Sequence, residues 1–393
     1  KIVKARDLWW QIIYARAETG EPYMVNIDTC NEALPKEQKD LGLEIKQSNL
    51  CSEITLPTND ERTAVCCLSS VNLEHFDKWS KDEMFISDLI TMLDNVLQHF
   101  IDNAVDTSQL GEYNANYKRF KNYVREGKEG FTKATYSAYR ERSIGLGAMG
   151  FHSYLQSKGI PFEGLFATSF NHRAFKHIKD YSTRASKRLA ELRGEAPDVA
   201  NSGMRNAHLL AIAPNASSSI ICGGTSPSIE PFRANTYTHK TLSGSYQVKN
   251  KYLDKVLRSK GLKGEELEKV WKDISANNGS IQHLEILDEK EKELFKTANE
   301  INQIWIIEHA YKRQDFVCQS QSVNLFFTLP KATEEQDIHD DYMQYVNDVH
   351  WYGMNKLKSL YYFRSDAARA AENVNIKVPR IKLDEVECIS CEG

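Results

Sequence analysis

The sequence has 393 residues, 41% hydrophobic and 26% charged, with a formal net charge of −4. That length and composition bury a large core, which excludes wholesale disorder or a short module and predicts two domains or one large α/β barrel. The charge excludes a dominant electrostatic attraction to nucleic acid, and no Lys/Arg block interleaved with aromatics appears.

Along the chain, KIVKARDLWWQII sets basic residues before an apolar patch, but Arg6, Asp7 and Gln11 interrupt it and no small-residue cleavage site follows. Leu8, Trp9, Ile12 and Ile13 at helical spacing predict a buried-face helix over 6–18 that stops near Gly20. SNLCSEI, residues 48–54, places Asn49, Cys51 and Glu53 at alternate positions. In an extended segment those three side chains share a face, so an amide, a thiol and a carboxylate converge on one small volume, as in a reaction site. A half-buried strand with one polar face produces the same alternation.

Ser80-x-x-Glu83 has the form of a capping box and opens an amphipathic run through Ile86, Leu89, Ile90, Leu93, Leu97 and Ile101. Gly145-Leu146-Gly147-Ala148-Met149-Gly150 fits the dinucleotide fingerprint in letters. The preceding TYSAYRERSI is polar and reads as helix or loop, so the glycines are explained as well by close backbone packing. Short apolar runs at 64–68, 209–213, 323–329 and 360–363 are strand-like, with helical segments between them, and this alternation predicts an α/β fold. Asn215, Ala216, Ser217 and Ser218 follow one such run; small hydroxyls and free backbone N–H groups there make either a plain turn or a phosphate cradle, the latter if a helix begins.

Residues 236–300 are more polar and predict exposed helix and turn in a surface insertion, and from about Ser365 a tail without apolar periodicity follows. The eight cysteines are sparse for this length, so thiols should be reduced and any disulfide catalytic. Cys388 and Cys391 form a C-x-x-C pair without the further ligands zinc needs, which predicts a mobile dithiol able to exchange with disulfides, or two unremarkable surface cysteines. Tyr361 and Tyr362 would face opposite ways in a regular strand, so stacking them requires a local bend. The eleven histidines show no metal spacing, so no metal is expected in this chain. No run is long enough to cross a bilayer, and the expectation is a soluble, cytoplasmic protein without a membrane partner.

Taken in order, SNLCSEI, AVCCLSSVNL, PNASSS followed by SIEPF, SLYYF and the terminal C-x-x-C strongly resemble the carboxyl half of the class I ribonucleotide reductase large (alpha) subunit. TGEPYM, RSIGLG, CQSQSVNLFF and DVHWYGM look like that family too, so the resemblance covers nearly the whole chain. It implies the carboxyl half of a ten-stranded α/β barrel with a central finger loop over 1–364, with 236–300 a peripheral insertion and 365–393 a mobile redox tail.

For the site, the resemblance implies that Cys51 becomes a transient thiyl radical that removes the 3′ hydrogen of a ribonucleoside diphosphate. Glu53 would be the base for the 3′ hydroxyl and Asn49 would hydrogen-bond the ribose. Cys66 matches one of two reducing thiols, and its neighbour Cys67, facing away in a strand, is a bystander. Asn215, Ala216, Ser217 and Ser218 would hold the diphosphate, Tyr361 and Tyr362 would relay the radical, and Cys388 and Cys391 would restore the active site with electrons from thioredoxin or glutaredoxin. The initiating radical is expected from a separate small (beta) subunit carrying a diiron-tyrosyl or related metallocofactor, with no cofactor bound by this chain.

Members of that family are much longer, and the part absent here would hold the other reducing cysteine, the effector sites and the early barrel strands. The chain alone is therefore not expected to turn over, and its open strand edges call for an amino-half chain. A split, phage-type large subunit and a trimmed start at Lys1 both fit. The alternatives are a catalytically inactive nucleotide-binding or assembly fragment, and a thiol-disulfide redox protein built on Cys388 and Cys391. A glycyl-radical enzyme would need a radical glycine in a carboxyl-terminal loop, where this chain ends ECISCEG.

Overall fold

The computed structural model describes residues 3–110, 116–241, 244–328 and 336–365; the expected redox tail, with Cys388 and Cys391, lies outside the described residues. Its strands are β1 (Met24–Val25), β2 (Cys67–Asn72), β3 (Ile144–Met149), β4 (Thr236–Thr241), β5 (Gly244–Lys249), β6 (Leu325–Phe326), β7 (Ser359–Leu360) and β8 (Phe363–Arg364). β2 pairs in parallel with β3, Leu68 opposite Gly145. Parallel bridges from Leu146 to Leu210 and from Ile212 to Gln321 carry the sheet on through 209–213 and 319–323. β6 then pairs in parallel with β8, β7 pairs antiparallel with β1, and the Phe363 N–H donates to the Gly20 carbonyl.

The side-by-side order is thus β2, β3, 209–213, 319–326, 359–364 and 20–25, one wall of an α/β barrel. Parallel neighbours need long crossovers, and the helices Leu165–Arg193, Gln303–Gln314 and Gln336–Lys356 supply them. Among the described residues β2 has a strand on one side only, and Leu68 on it is 42% exposed.

Two of the three fingerprint glycines, Gly145 and Gly147, lie within β3, and Gly150 directly follows it. A Cβ on Gly145 would stand 2.4 Å from Leu68 Cδ2, and one on Gly147 would stand 2.6 Å from the Ala211 carbonyl oxygen, so only glycine admits both neighbouring strands. Close packing is therefore the reason for this motif, as the polar segment before it suggested; that segment is the helix Thr132–Glu141.

The first helix, Ala5–Thr19, ends as expected at Gly20, whose φ of 86° lets its N–H reach the Arg16 carbonyl. Its buried stripe is Ile13, Arg16 and Ala17, however, and Leu8 is 50% exposed. The amphipathic helix spans Phe85–Ala104 with Ile86, Ile90, Leu93, Leu97 and Ile101 buried. It does not start at a Ser80 capping box: Ser80 closes the short helix Phe76–Trp79, and the Asp82 carboxylate accepts from the Met84 N–H at 2.9 Å instead. Residues 236–300, expected as exposed helix and turn, form the β4–β5 hairpin and three helices around their own apolar cluster of Leu253, Leu257, Leu267, Trp271, Ile274 and Phe295. Among the described residues no helix is long and apolar enough to cross a membrane.

Candidate active site

Residues 43–58 carry no regular secondary structure except a turn at their tip. There the Ser52 N–H donates to the Asn49 carbonyl at 3.2 Å, and the Asn49 N–H donates to the Ile54 carbonyl at 3.2 Å. The Asn49 side-chain oxygen accepts from the Ile54 N–H at 3.0 Å, and Ser52 takes a φ of 68°. The segment 48–54 is therefore a closed loop and not the extended strand its alternation suggested. Asn49 folds it, because an Asx side chain can replace a backbone acceptor in a turn.

The loop is clipped into the barrel wall from three sides. Ser320 N–H donates to the Glu53 carbonyl at 2.9 Å, Ser322 Oγ donates to the Cys51 carbonyl at 2.5 Å, and Ser359 Oγ donates to the Ser52 carbonyl at 3.0 Å. Below the tip, Ile54 and Leu56 pack with Ala211 and Cys66 in a small apolar cluster.

Although the common strand face is not formed, the functional groups gather at the tip. The half-buried Cys51 sulfur accepts a hydrogen bond from the Tyr361 hydroxyl at 3.5 Å. Burial, and then this bond to Cys51, push the Tyr361 hydroxyl far above its ordinary pKa, so it stays protonated. Glu53 is only 2% exposed; burial pushes its carboxyl up, while hydrogen bonds from its own backbone N–H, Asn49 and Ser322 pull part of the way back. A carboxylate so poised favours proton uptake more than a solvated one.

Tyr361 and Tyr362 have ring centroids 4.4 Å apart at an interplanar angle of 59°. The bend this needs is present, since regular pairing stops at Leu360 and resumes at Phe363. A third ring, Tyr23, lies 4.6 Å from Tyr361 and 4.9 Å from Tyr362. The buried Arg16 donates to the Tyr361 carbonyl at 2.9 Å and holds the bend from behind.

Cys66 sits just before β2, and its sulfur accepts from Gln319 Nε2 at 3.5 Å. Burial pushes its thiol up. Its neighbour Cys67 packs instead against the main core, on the other side of the strand, as expected for alternating residues. The serine turn does begin a helix, Ala216–Ile221, directly after Asn215, whose φ is 52° and whose side-chain amide donates to Ser70 Oγ at 2.9 Å. Ala216, Ser217 and Ser218 are exposed, and first-turn N–H groups have no partner within a helix. A cavity of about 430 Å³ is lined by Ala216, Ser219, Glu230, Asn324, Tyr361 and Arg364, so the turn and the Cys51 partner border one space.

Asn49, Cys51, Glu53, Tyr361 and Tyr362 are thus brought together, Cys66 joins them through Ile54 and Gln319, and the serine turn through the shared cavity. Tyr23, Ser322, Gln319 and Arg16 were not expected at the site. Tyr23 lies in TGEPYM, and Gln319 and Ser322 in CQSQSVNLFF, so an unexplained polar or aromatic residue inside a recognisable motif was the available signal for these three; Arg16 lies in no such motif. Among the described residues no group of three His, Cys, Asp or Glu side chains is placed to hold a metal ion.

Comparison with known proteins gives a match to the family "Ribonucleotide reductase, barrel domain" over residues 1–202 and 195–363. The ribonucleoside-diphosphate reductase large subunit of Invertebrate iridescent virus 3 is 46% identical over 395 residues, covering 100% of this chain and 57% of that protein. The putative large subunit of Frog virus 3 (isolate Goorha) is 42% identical over 392 residues, covering 100% of this chain and 63% of that one. Among solved structures, the Actinobacillus ureae class Id ribonucleotide reductase alpha subunit matches with a TM-score of 0.76 and 36% identity, over 93% of this chain and 62% of that chain. The chain therefore spans less than two thirds of the length of these relatives.

Proposed function

Because the chain belongs to the ribonucleotide reductase barrel-domain family, we propose that it forms the radical-bearing part of a ribonucleoside-diphosphate reductase active site. The observation that carries this is the Tyr361 hydroxyl at 3.5 Å from the Cys51 sulfur, on a loop whose next carboxylate, Glu53, is almost fully buried.

The oxidising equivalent comes from a metal–tyrosyl radical in a separate small subunit. Within this chain Tyr362 and Tyr361 pass it inward, and Cys51 gives its hydrogen atom to the Tyr361 oxygen, breaking S–H and forming O–H. The resulting thiyl takes the 3′ hydrogen of the nucleotide, while Glu53 accepts the 3′ hydroxyl proton. The 2′ hydroxyl then leaves as water with a proton from one reducing thiol, C2′ takes the hydrogen of the other, and Glu53 returns its proton to the 3′ oxygen. Cys66 and the second thiol thereby supply two electrons and close a disulfide as Cys51 returns hydrogen to C3′. A barrel closed over the half-buried Cys51 by further chain keeps water from the radical.

The diphosphate is held at the N–H groups of Ala216, Ser217 and Ser218, with Asn215 anchoring the turn. Asn49 uses its carbonyl oxygen within the loop and one amide N–H toward Glu53, which leaves its second N–H for the ribose. Cys388 and Cys391 reduce the disulfide and are re-reduced by thioredoxin or glutaredoxin in a reducing cytoplasm. The open side of β2 is covered by the amino-terminal portion that the relatives possess, and the second reducing thiol comes from it.

Reconstitution with a polypeptide carrying that portion and with a radical-generating small subunit tests the reading. Deoxyribonucleotide formed with the unaltered chain but not with Cys51→Ser supports it. No product from the complete mixture under reducing conditions overturns it and favours an inactive nucleotide-binding fragment.

A further inference from the structure

One residue before Gln319 the chain carries a thiol that the reaction above does not use. Cys318 lines a different cavity, of about 450 Å³, together with Lys179, Lys356, Lys358, Glu32 and Asp315, so lysines outnumber carboxylates around it. Its sulfur accepts two backbone hydrogen bonds, from Leu209 at 3.2 Å and Leu210 at 3.3 Å. His208, only 1% exposed, lies beside it. Nε2 of His208 is 2.9 Å from Gln38 Oε1; an amide oxygen only accepts, so Nε2 carries a proton. Its buried Nδ1 has no hydrogen-bond partner of its own and is the nitrogen left to serve the neighbouring sulfur. Gln38 is fixed in turn by donating to the buried Glu141 at 3.5 Å.

A cysteine that merely fills space gathers no such set of partners. The sulfur sits in a nest of two N–H groups, against an imidazole whose tautomer is locked from behind, and faces a basic cavity. This is how an activated thiol is built. We propose that Cys318 is a standing thiolate that exchanges with small anionic disulfides of the glutathione class. The sulfur attacks one sulfur of RS–SR, the S–S bond of the small molecule breaks, a Cys318–S–S–R bond forms, and RS⁻ leaves; one disulfide is exchanged for another. The lysines meet the carboxylates of the incoming molecule.

Electrostatics agree with this geometry. Burial opposes ionisation, but the neighbouring His208 and the charge of Lys179 outweigh it and bring Cys318 down to about 5. At Cys30 burial instead outweighs the charge of Lys358 and raises the thiol to about 11. The modification also bears on the site. Lys358 Nζ donates to the carbonyls of both Cys318 and Gln319, and Gln319 holds the Cys66 sulfur.

The test treats the full chain at pH 6 and low salt with glutathione disulfide, or with the cationic disulfide cystamine, and maps the mixed disulfides by peptide mass. At that pH an ordinary thiol is about one part in a thousand ionised; weighing this against the lower nucleophilicity of an acidic thiolate leaves Cys318 roughly 15-fold faster. Expected are first modification at Cys318, a several-fold preference for glutathione disulfide, and loss of that preference in a Lys179→Gln, Lys356→Gln variant. His208→Gln should slow the reaction about 10-fold. Modification of the exposed Cys222 with Cys318 untouched overturns the proposal, as does an unchanged rate in folded His208→Gln. A preference unaltered by the lysine substitutions overturns the anionic class, an unchanged urea midpoint showing that the doubly substituted chain is folded.

Discussion

Ser322→Ala probes how the reactive loop is held. Ser322 is fully buried and has one hydroxyl proton with two acceptors in reach, the Cys51 carbonyl at 2.5 Å and Glu53 Oε2 at 3.3 Å. Its backbone N–H donates to Ile212 at 2.9 Å, so alanine keeps the strand and removes only the hydroxyl. Leaving a buried acceptor without its donor costs about 1–3 kcal/mol, which a urea titration reads as a lower midpoint at unchanged slope. The second consequence is functional. Ser322 is one of the groups that pull the Glu53 carboxyl down against burial, so its removal moves that group further up. If Glu53 is the base proposed above, which acts ionised, the acid limb of the pH–rate profile of the reconstituted enzyme should shift to higher pH while the high-pH rate is little changed. Ser322→Thr, which keeps the hydroxyl, should restore the limb. An unshifted limb in a destabilised Ser322→Ala chain would refute the argument that this hydroxyl tunes Glu53.

Other substitutions test the scaffold. Asp198 is buried between Arg62 at 2.5 Å and Arg140 at 2.6 Å, so Asp198→Ala leaves two buried cations unpaired and should lower stability by about 3–5 kcal/mol in the same titration. Gly147→Ala sets a methyl 2.6 Å from a backbone oxygen of the adjacent strand, which has no side chain to move aside, and should cost about 1–3 kcal/mol. His350 is brought down to about 3, by burial and then by the Arg16 charge; it accepts from Arg16 Nε at 3.2 Å, as a neutral ring must. A group lowered in the folded state contributes stability above its unfolded pKa of about 6.5 and loses it as pH falls toward 3. The stability of the unaltered chain minus that of His350→Gln should therefore drop by about 1.4 kcal/mol per pH unit between pH 6 and pH 4, and parallel curves would rule this out.

What was legible in the sequence divides along a physical line. Residue types within short segments marked the loop thiol, the carboxylate and the serine turn as candidates, while their roles and that of the tyrosine pair came only from the resemblance carried by the ordered set of motifs. Conformation failed where a side chain replaced backbone. Period-two alternation in SNLCSEI means a shared face only if the segment is extended, and Asn49 closes it into a turn by offering its own oxygen to Ile54. Likewise Ser80-x-x-Glu83 has the letters of a cap, but the helix starts at Phe85 without a side-chain cap, and Asp82 only closes the turn before it by accepting from the Met84 N–H. The groups that hold the site were out of reach for a different reason. Ser322 meets Cys51 from 271 positions away and Arg16 meets Tyr361 from 345, and no local pattern encodes a contact of that range.

The same geometry bears on where a second reducing thiol could stand. On the β3 side of Cys66, a Cβ on Gly145 would lie 3.1 Å from the Cys66 sulfur, so that flank is filled by the sulfur itself and has no room for another side chain. Toward 319–323 the sulfur meets the Gln319 amide, and toward the loop it meets Ile54 and Leu56. The remaining approach is across the free edge of β2, where no strand is paired among the described residues. A thiol able to close a disulfide with Cys66 must then sit on, or reach over, a strand added at that edge, with the two α-carbons within about 7 Å. On the proposed function, the second thiol and the open edge of β2 are thus one requirement. A cysteine placed at each inward position of an added strand, with disulfide formation to Cys66 as the readout, would find the register; closure from a strand paired elsewhere would break the link between edge and chemistry.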